Sequence, residues 1–222
     1  MSTATETGQP VVGRSARKRQ AILHAARDLF LQRGYAGASM DEVAAMAAVS
    51  KVTIYRHFSD KHTLFVAVVT DAIEEAKAGS QTLVDQLGTS TDIELDLRDF
   101  ARRHVALVTQ PHLMQMRRMI IAEAHRFPDL ARAWHRIGPE RGHATLASQI
   151  DQLVARGQLQ VADSLLAAQL LNYLILSVPL NEAMFTARDK PYSRRYLNRY
   201  ADEAVRVFLA AYGAGRAGRR MR

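Results

Sequence analysis

The sequence predicts an all-α protein, on three observations. Apolar residues recur at helical spacing along most of the chain, and Gly and Pro fall at the joints between these stretches. Two short segments also carry helix-start signals: Ser39 with Glu42 three residues later, and Ser50 ahead of Lys51. About nine helices and no strands are expected. The chain has 222 residues, enough for one or two domains with a real core, and 48% of them are apolar, which excludes a disordered chain.

Residues 1–13 contain no apolar stretch of signal-peptide type and are expected to form a disordered arm. Arg14-Ser15-Ala16-Arg17-Lys18-Arg19 then places four cations before the first helix, which is expected over about 16–32, with Ile22, Ala26, Leu29 and Phe30 on one face. Arg33-Gly34-Tyr35 ends it, with Gly34 able to take a left-handed cap conformation. Ser39-Met40-Asp41-Glu42 reads as a capping box opening a short helix through Val43, Ala44 and Ala47. Ala48 and Val49 make a turn, and Ser50 caps a second short helix whose outer face carries Lys51, Thr53, Tyr55, Arg56 and His57. Two capped helices joined this way form a helix-turn-helix, and a second helix of this size fits the major groove of DNA. Lys61, after Asp60, begins a fourth helix over about 61–78, where main-chain amides favour a phosphate anion. Its Leu64, Phe65, Val68, Val69, Ala72 and Ile73 share one face. The DNA-binding domain is placed at 14–61 and a second, helical domain at 62–212, to which the resemblance given below assigns ligand binding and dimerisation.

Further helices are expected over about 92–109, 111–125, 129–136, 139–156, 163–187 and 194–212, with Pro111, Pro128, Pro139 and Gly157 at the joints. The helix over 163–187 is apolar around much of its girth, at Leu166, Leu170, Tyr173, Leu174, Ser177 and Leu180. The last helix carries a stripe of Tyr196, Tyr200, Ala204, Val207, Phe208 and Ala211. Apolar surface on more than one face means burial on more than one side, either against a second copy or inside one protomer. Residues 213–222 form a basic tail, expected to be disordered, with Arg216, Arg219, Arg220 and Arg222. Of the net charge of +8, all but one unit sits in residues 1–20 and 213–222, a distribution typical of arms that meet a polyanion. A solubilising role for the tail is the alternative.

Arg33-Gly34-Tyr35, Ser39-Met40-Asp41-Glu42-Val43-Ala44, Val49 through Phe58, Lys61 and Leu64-Phe65 together resemble the amino-terminal domain of TetR-family transcriptional regulators, over residues 15–70 without gaps. Val52 stands where that family often has glycine or proline, and Ala48 where it often has glycine. Arg118 through Leu130, and the stretch to Gly138-Pro139-Glu140-Arg141, resemble the carboxy-terminal domain of the AefR-like subgroup. The resemblance implies a dimeric, ligand-responsive repressor bound to a palindromic operator. It implies base contacts from Lys51, Val52 and Thr53, with Lys51 donating to guanine and Val52 touching a thymine methyl. It places Tyr55, His57 and Lys61 on phosphates, together with the Ser39 hydroxyl and the amides beside it at Met40. Arg56 suits either role, and Arg14, Arg17 and Lys18 add salt-dependent affinity. Val43, Val49, Ile54, Phe58, Leu64, Phe30 and Tyr35 are read as packing.

The resemblance favours an interface built from Leu166, Leu170, Leu174, Tyr200, Val207 and Phe208. It also implies an apolar ligand pocket in the second domain, for which Phe100, His104, Met114, Met116, Met119, Trp134, Tyr173 and Met184 are candidates; Met suits permissive surfaces, although Met and aromatic residues at helical spacing also make ordinary core. Arg117-Arg118 is read as a solvated face.

Other functions fit less well. No His-Glu-x-x-His, glycine-rich phosphate loop or nucleophile elbow is present, and Glu123 and His125 point to different sides of a helix, so no enzyme is expected. With no Cys, a metal sensor would need His104, His112 and His125, and no metal or other cofactor is expected. A structural adaptor using the basic ends would leave the paired capped helices unexplained. The most apolar run, Leu165–Leu180, is interrupted by Asn172 and Pro179 and falls short of the ~20 residues of a membrane span, so a cytoplasmic protein without membrane contact is expected.

Overall fold

A computed structural model describes residues 13–77, 84–85, 87–186 and 190–214. The expected arm, apart from Gly13, and the basic tail beyond Ala214 lie outside the described residues. The described residues carry ten α-helices: α1 (Arg14–Gly37), α2 (Met40–Met46), α3 (Lys51–His57), α4 (Lys61–Lys77), α5 (Ile93–Val108), α6 (Pro111–Glu123), α7 (Pro128–His135), α8 (Arg141–Ala155), α9 (Ser164–Phe185) and α10 (Arg194–Tyr212). A π-helical turn, Arg136–Glu140, joins α7 to α8. The only extended pairing among these residues is one bridge between Leu159 and Gly213. The chain divides into two compact units at Val69/Thr70, within α4.

In the first unit, α1 buries Ile22, Leu23, Ala26, Leu29 and Phe30, the stripe its sequence period describes. Phe30, Tyr35 and Phe65 form an aromatic cluster with ring centroids 5.2–5.8 Å apart. Gly34 has φ 71°, as its position at the helix end suggests, but ψ 171° takes it out of the left-handed cap geometry, and one more helical turn follows to Gly37. The capping box of α2 is complete: Glu42 N–H donates to Ser39 Oγ at 3.2 Å and Ser39 N–H to Glu42 Oε2 at 3.1 Å. At its other end Val49 N–H donates to Ala44 O and Ala48 N–H to Ala45 O, a Schellman motif with alanine at the left-handed position (φ 53°). Ser50 Oγ accepts from Thr53 N–H to start α3, and Asp60 Oδ1 accepts from Thr63 N–H at 2.7 Å in the first turn of α4. One of the main-chain amides at the start of α4, where a phosphate is expected, is thus taken by the protein's own carboxylate.

In the second unit α5, α8, α9 and α10 pack as a bundle around Leu97, Ala101, Val105, Ile150, Leu171, Ile175, Ala201, Val205 and Phe208. Asp92, Asp163 and Ser193 cap α5, α9 and α10, and Pro111 and Pro128 occupy the first turns of α6 and α7. Arg102 holds Asp202 through two hydrogen bonds of 2.7 and 2.8 Å, fixing α5 to α10. Pro139 does not open a helix as its joint position suggests. It lies inside the π turn. Pro179 lies inside α9, which continues to Phe185. α9, at 22 residues, is the one described helix long and apolar enough to cross a membrane by length and composition. The shortfall expected from its apolar run does not apply to the helix itself. Its Ala167, Ala168, Leu171, Ile175 and Leu176 are buried in the bundle core.

Candidate nucleic-acid interface and ligand cavity

α3 is anchored from within by Ile54, which is fully buried, and followed by buried Phe58. The opposite face projects outward. Val52 is 78% exposed and Tyr55 44%, with Lys51 and Arg56 also exposed and Thr53 partly so. An isolated valine and tyrosine held in water beside two cations are costly for packing and suited to contact with base edges and the backbone of a duplex. Lys51 Nζ donates to Asp41 Oδ2 at 2.9 Å, which raises the lysine pKa, chiefly through that hydrogen bond and then through the carboxylate charge. Both side chains are mostly solvated, so the pair is weak and readily exchanged for another acceptor.

Four of the expected DNA contacts sit differently. The Met40 side chain is 7% exposed and belongs to the core of the unit, so only its main-chain amide, at the first position of α2, faces the helix start. The Ser39 hydroxyl accepts from Glu42 N–H and donates to Glu42 Oε2 at 2.8 Å, and is committed to the capping box. That bond, with the Arg33 charge, holds the Glu42 carboxyl below its usual range. His57 is half-buried, and its Nε2 is shielded from solvent without a partner. Lys61 Nζ donates to the carbonyls of Tyr35 (3.0 Å), Ala36 (3.4 Å) and Ala38 (2.9 Å) and lies 4.7 Å from the centre of the Tyr35 ring. It collects the orphan acceptors at the end of α1, a task its sequence position did not reveal. Arg14 and Arg17 are exposed on the first turns of α1 and Lys18 is partly so. Arg19, not among the expected contacts, lies 5.5 Å over the Phe58 ring.

The second unit contains a cavity of ≈ 180 Å³. Its wall draws Phe100, His104, Leu107 and Val108 from α5, Leu113, Met114 and Arg117 from α6, Trp134 from α7, Gly138 and Pro139 from the π turn, His143 and Leu146 from α8, and Asn172, Tyr173, Leu176 and Leu180 from α9. Phe100, His104, Met114, Trp134 and Tyr173 therefore line it as their sequence reading suggested. Met116, Met119 and Met184 do not. Met116 lies about 200° around α6 from Met114, and Met119 about 140°, so neither shares the cavity face; Met184 stands beyond Leu180 near the end of α9.

Polar side chains interrupt the apolar wall, among them His104, Asn172, His143 and Arg117. His104 Nε2 and Asn172 Oδ1 are 2.7 Å apart, and burial pushes the His104 pKa down against that bond. Burial also lowers the His143 pKa, with the nearby His135 charge adding to it, and its Nε2 has no partner. Arg117 lies with Cζ 5.9 Å over the Trp134 ring, its Nε buried without an acceptor, and burial lowers its pKa. Arg117 was missed in sequence because arginine beside arginine reads as a solvated face; the available signal was that it follows Met114 by three residues, whereas His143 carries no local signal of its place in the wall.

The outward face of α9 carries Leu166, Leu170, Tyr173, Leu174 and Val178, all exposed, and Val207 is exposed on α10. Tyr200 is half-buried, its ring against Tyr196 at 5.2 Å. Phe208 departs from the expected interface: at 1% exposed it is wholly inside the protomer core. It follows Val207 by one residue and so points about 100° away from it.

The family model described as the AefR-like transcriptional repressor carboxy-terminal domain matches residues 96–214, and that of the tetR family of bacterial regulatory proteins matches residues 22–68. The solved structure of a TetR-family transcriptional regulator from Mesorhizobium loti MAFF303099 is 42% identical, covers 90% of this chain and 99% of its own, and superposes with a TM-score of 0.83. The flavonoid-responsive regulator FrrA is 29% identical, covers 89% of this chain and 97% of its own, with a TM-score of 0.75. Among curated proteins, the transcriptional activator FasR of Mycolicibacterium smegmatis is 40% identical over 81 residues, 36% of each chain. The transcriptional repressor AcnR of Corynebacterium diphtheriae is 31% identical over 111 residues, 49% of this chain and 56% of its own. The chain thus spans between about a third and a little over half of these two curated relatives. With both domain models matched in order, and a structure related at 42% identity over nearly its whole length, the chain belongs to the TetR family of DNA-binding transcriptional regulators and is not an enzyme.

Proposed function

We propose that the protein is a cytoplasmic homodimeric repressor that reads a palindromic operator with α3 and is released from it by a small, largely apolar ligand. The observation that carries the reading is the outward face of α3, where Val52, Lys51, Tyr55 and Arg56 stand exposed on a helix locked from behind by Ile54. Lys51, Val52 and Thr53, at the helix start, are assigned to bases; Tyr55, the exposed Arg14 and Arg17, and the partly exposed Lys18 to the phosphate backbone. A single seven-residue helix reads few base pairs. Two copies, ~34–36 Å apart on one face of the duplex, supply the rest. The exposed apolar face of α9 supports the dimer, and the cavity supports a ligand. The repressor assignment leans on the AefR-like domain, because the curated relatives include both an activator and a repressor. A ligand that favours the non-binding state by ~1–3 kcal/mol weakens operator binding roughly 5–150-fold.

The test is selection of bound duplexes from a random library by the wild type and by Lys51→Ala. The expected result is a palindrome for the wild type, and relaxed preference at one position per half-site for the variant, at ~1–3 kcal/mol each. A wild-type pool with no motif removes sequence reading by α3, and an unaltered motif in Lys51→Ala removes Lys51 from the base readers.

A further inference from the structure

The cavity is apolar on most of its wall but has a cationic side. Arg117 is set into the wall with its Nε buried and unpaired, and no acid stands within the lining or pairs with it among the described residues. Arg117 as a whole is half-buried, and a guanidinium set partly into an apolar wall without a carboxylate is costly, a cost that an arriving anion offsets. His143 lies on the same wall, 6% exposed, with Nε2 also unpartnered. Arg117 Nε is a donor without an acceptor, and His143 Nε2 is a second one in its Nε2–H tautomer, so a ligand oxygen would make good both.

The rest of the wall indicates what carries that oxygen. Phe100 and His104 stack at 5.4 Å with 17° between planes, and Trp134 and Tyr173 add further aromatic faces. Flat walls of this kind favour a planar ring. A volume of ≈ 180 Å³ is slightly larger than the ~150 Å³ apolar cavity that takes benzene. One ring with a short substituent fits it.

We propose that the cavity takes an aromatic carboxylate, whose anionic group is received by Arg117 with His143 as second donor, and whose ring lies among Phe100, Trp134 and Tyr173. The planar guanidinium matches a carboxylate through two parallel N–H···O bonds, which neither an amide nor an ester accepts as well. The proposal rests on the reading of this cavity as the effector site, and gives that site its chemical class.

Trp134 is the only tryptophan in the chain and lines the cavity, so its fluorescence reports occupancy directly. Benzoate, 3-phenylpropanoate and 4-phenylbutyrate would be titrated into the full-length protein against their primary amides, by Trp134 emission and by calorimetry, with release of a selected operator duplex followed separately. At least one acid is expected to bind about tenfold or more tighter than its amide, and Arg117→Met is expected to abolish that preference while still binding the amide. Amides that bind as tightly as the acids, an Arg117→Met variant that keeps the preference, or no binding by any acid would each overturn the proposal. The wild-type comparison decides the matter even if the variant does not fold. Acid-selective binding without operator release would leave the ligand class intact and sink the effector reading; release by amides alone would do the reverse.

Discussion

Ala48 holds φ 53°, in the left-handed region, at the C-terminal cap of α2. A Cβ there costs ~1–2 kcal/mol, which glycine avoids. Against this, glycine adds entropy to the unfolded chain, worth ~0.4–1 kcal/mol. Ala48→Gly is therefore expected to stabilise the first unit by about 0.5–1 kcal/mol, seen as a raised urea midpoint of its unfolding. A lowered midpoint would mean that the strain is relieved elsewhere. Lys61 invites the opposite kind of test. Its ammonium is taken by three carbonyls at the end of α1, so Lys61→Met should lower stability by about 1.5–3 kcal/mol, the range for charged hydrogen bonds. A lysine that neutralised a phosphate would instead reduce the salt slope of DNA binding by ~0.9. Thermal melts and binding at several salt concentrations separate the two; unchanged stability with a reduced slope would return Lys61 to the phosphate. Both residues mark the limit of local sequence reading. Glycine is common at the Ala48 position for a backbone reason that only φ displays, and the partners of Lys61 lie more than twenty residues back in the chain.

Elements whose ends are closed by their own neighbours were the most legible. Ser39 with Glu42, and Ser50 with Thr53, are capping pairs three residues apart, and α2 and α3 form where they indicate. The apolar face of α4 was equally plain, since six residues at helical spacing are all buried. The cavity was half legible. Its aromatic residues announced themselves, but choosing among Met114, Met116 and Met119 needs the rotation of α6, which tertiary packing sets and composition does not. The π turn at Pro139 was hidden because a proline at a joint reads as a helix start. Between α5 and α9 the structural tie is His104 with Asn172. Burial depresses the His104 pKa, so on unfolding the imidazole takes up a proton below its ordinary value of ~6.5. The unfolded chain then binds more protons than the native one, and stability falls as pH drops below about 6.5. His143, depressed for the same reason, adds to the slope. His104→Gln keeps a hydrogen-bonding group beside Asn172 without a titrating one. Its unfolding free energy is expected to vary less steeply between about pH 5 and 7 than that of the wild type, by denaturant titration at each pH. An identical slope would place the linkage on other groups.

At the scale of the whole molecule, the question is which apolar surface a second copy would cover. Leu166, Leu170, Leu174 and Val178 recur at helical spacing along one face of α9, all exposed, while Leu171 and Ile175, each about 100° further round the helix, are fully buried. A stripe of large side chains left in water along a 22-residue helix is costly for a lone protomer and is removed by self-association. Phe208, expected from sequence to share this surface, belongs to the core instead, and that contrast makes the interface testable. Leu170→Glu places a charge on the stripe without touching the core. It is expected to halve the molar mass in sedimentation while leaving the helical circular dichroism in place, and to weaken operator binding because two half-sites no longer act together. Phe208→Ala should do the converse, costing about 3–5 kcal/mol of stability through the cavity it leaves, with the surviving native fraction still dimeric. If Leu170→Glu sediments as the wild type does, α9 is not the interface; if Phe208→Ala dissociates the dimer at full protomer stability, the side chain reaches the partner after all. Because one substitution acts on the exposed surface and the other inside the core of the same helical bundle, their effects separate association from folding in a way that neither achieves alone.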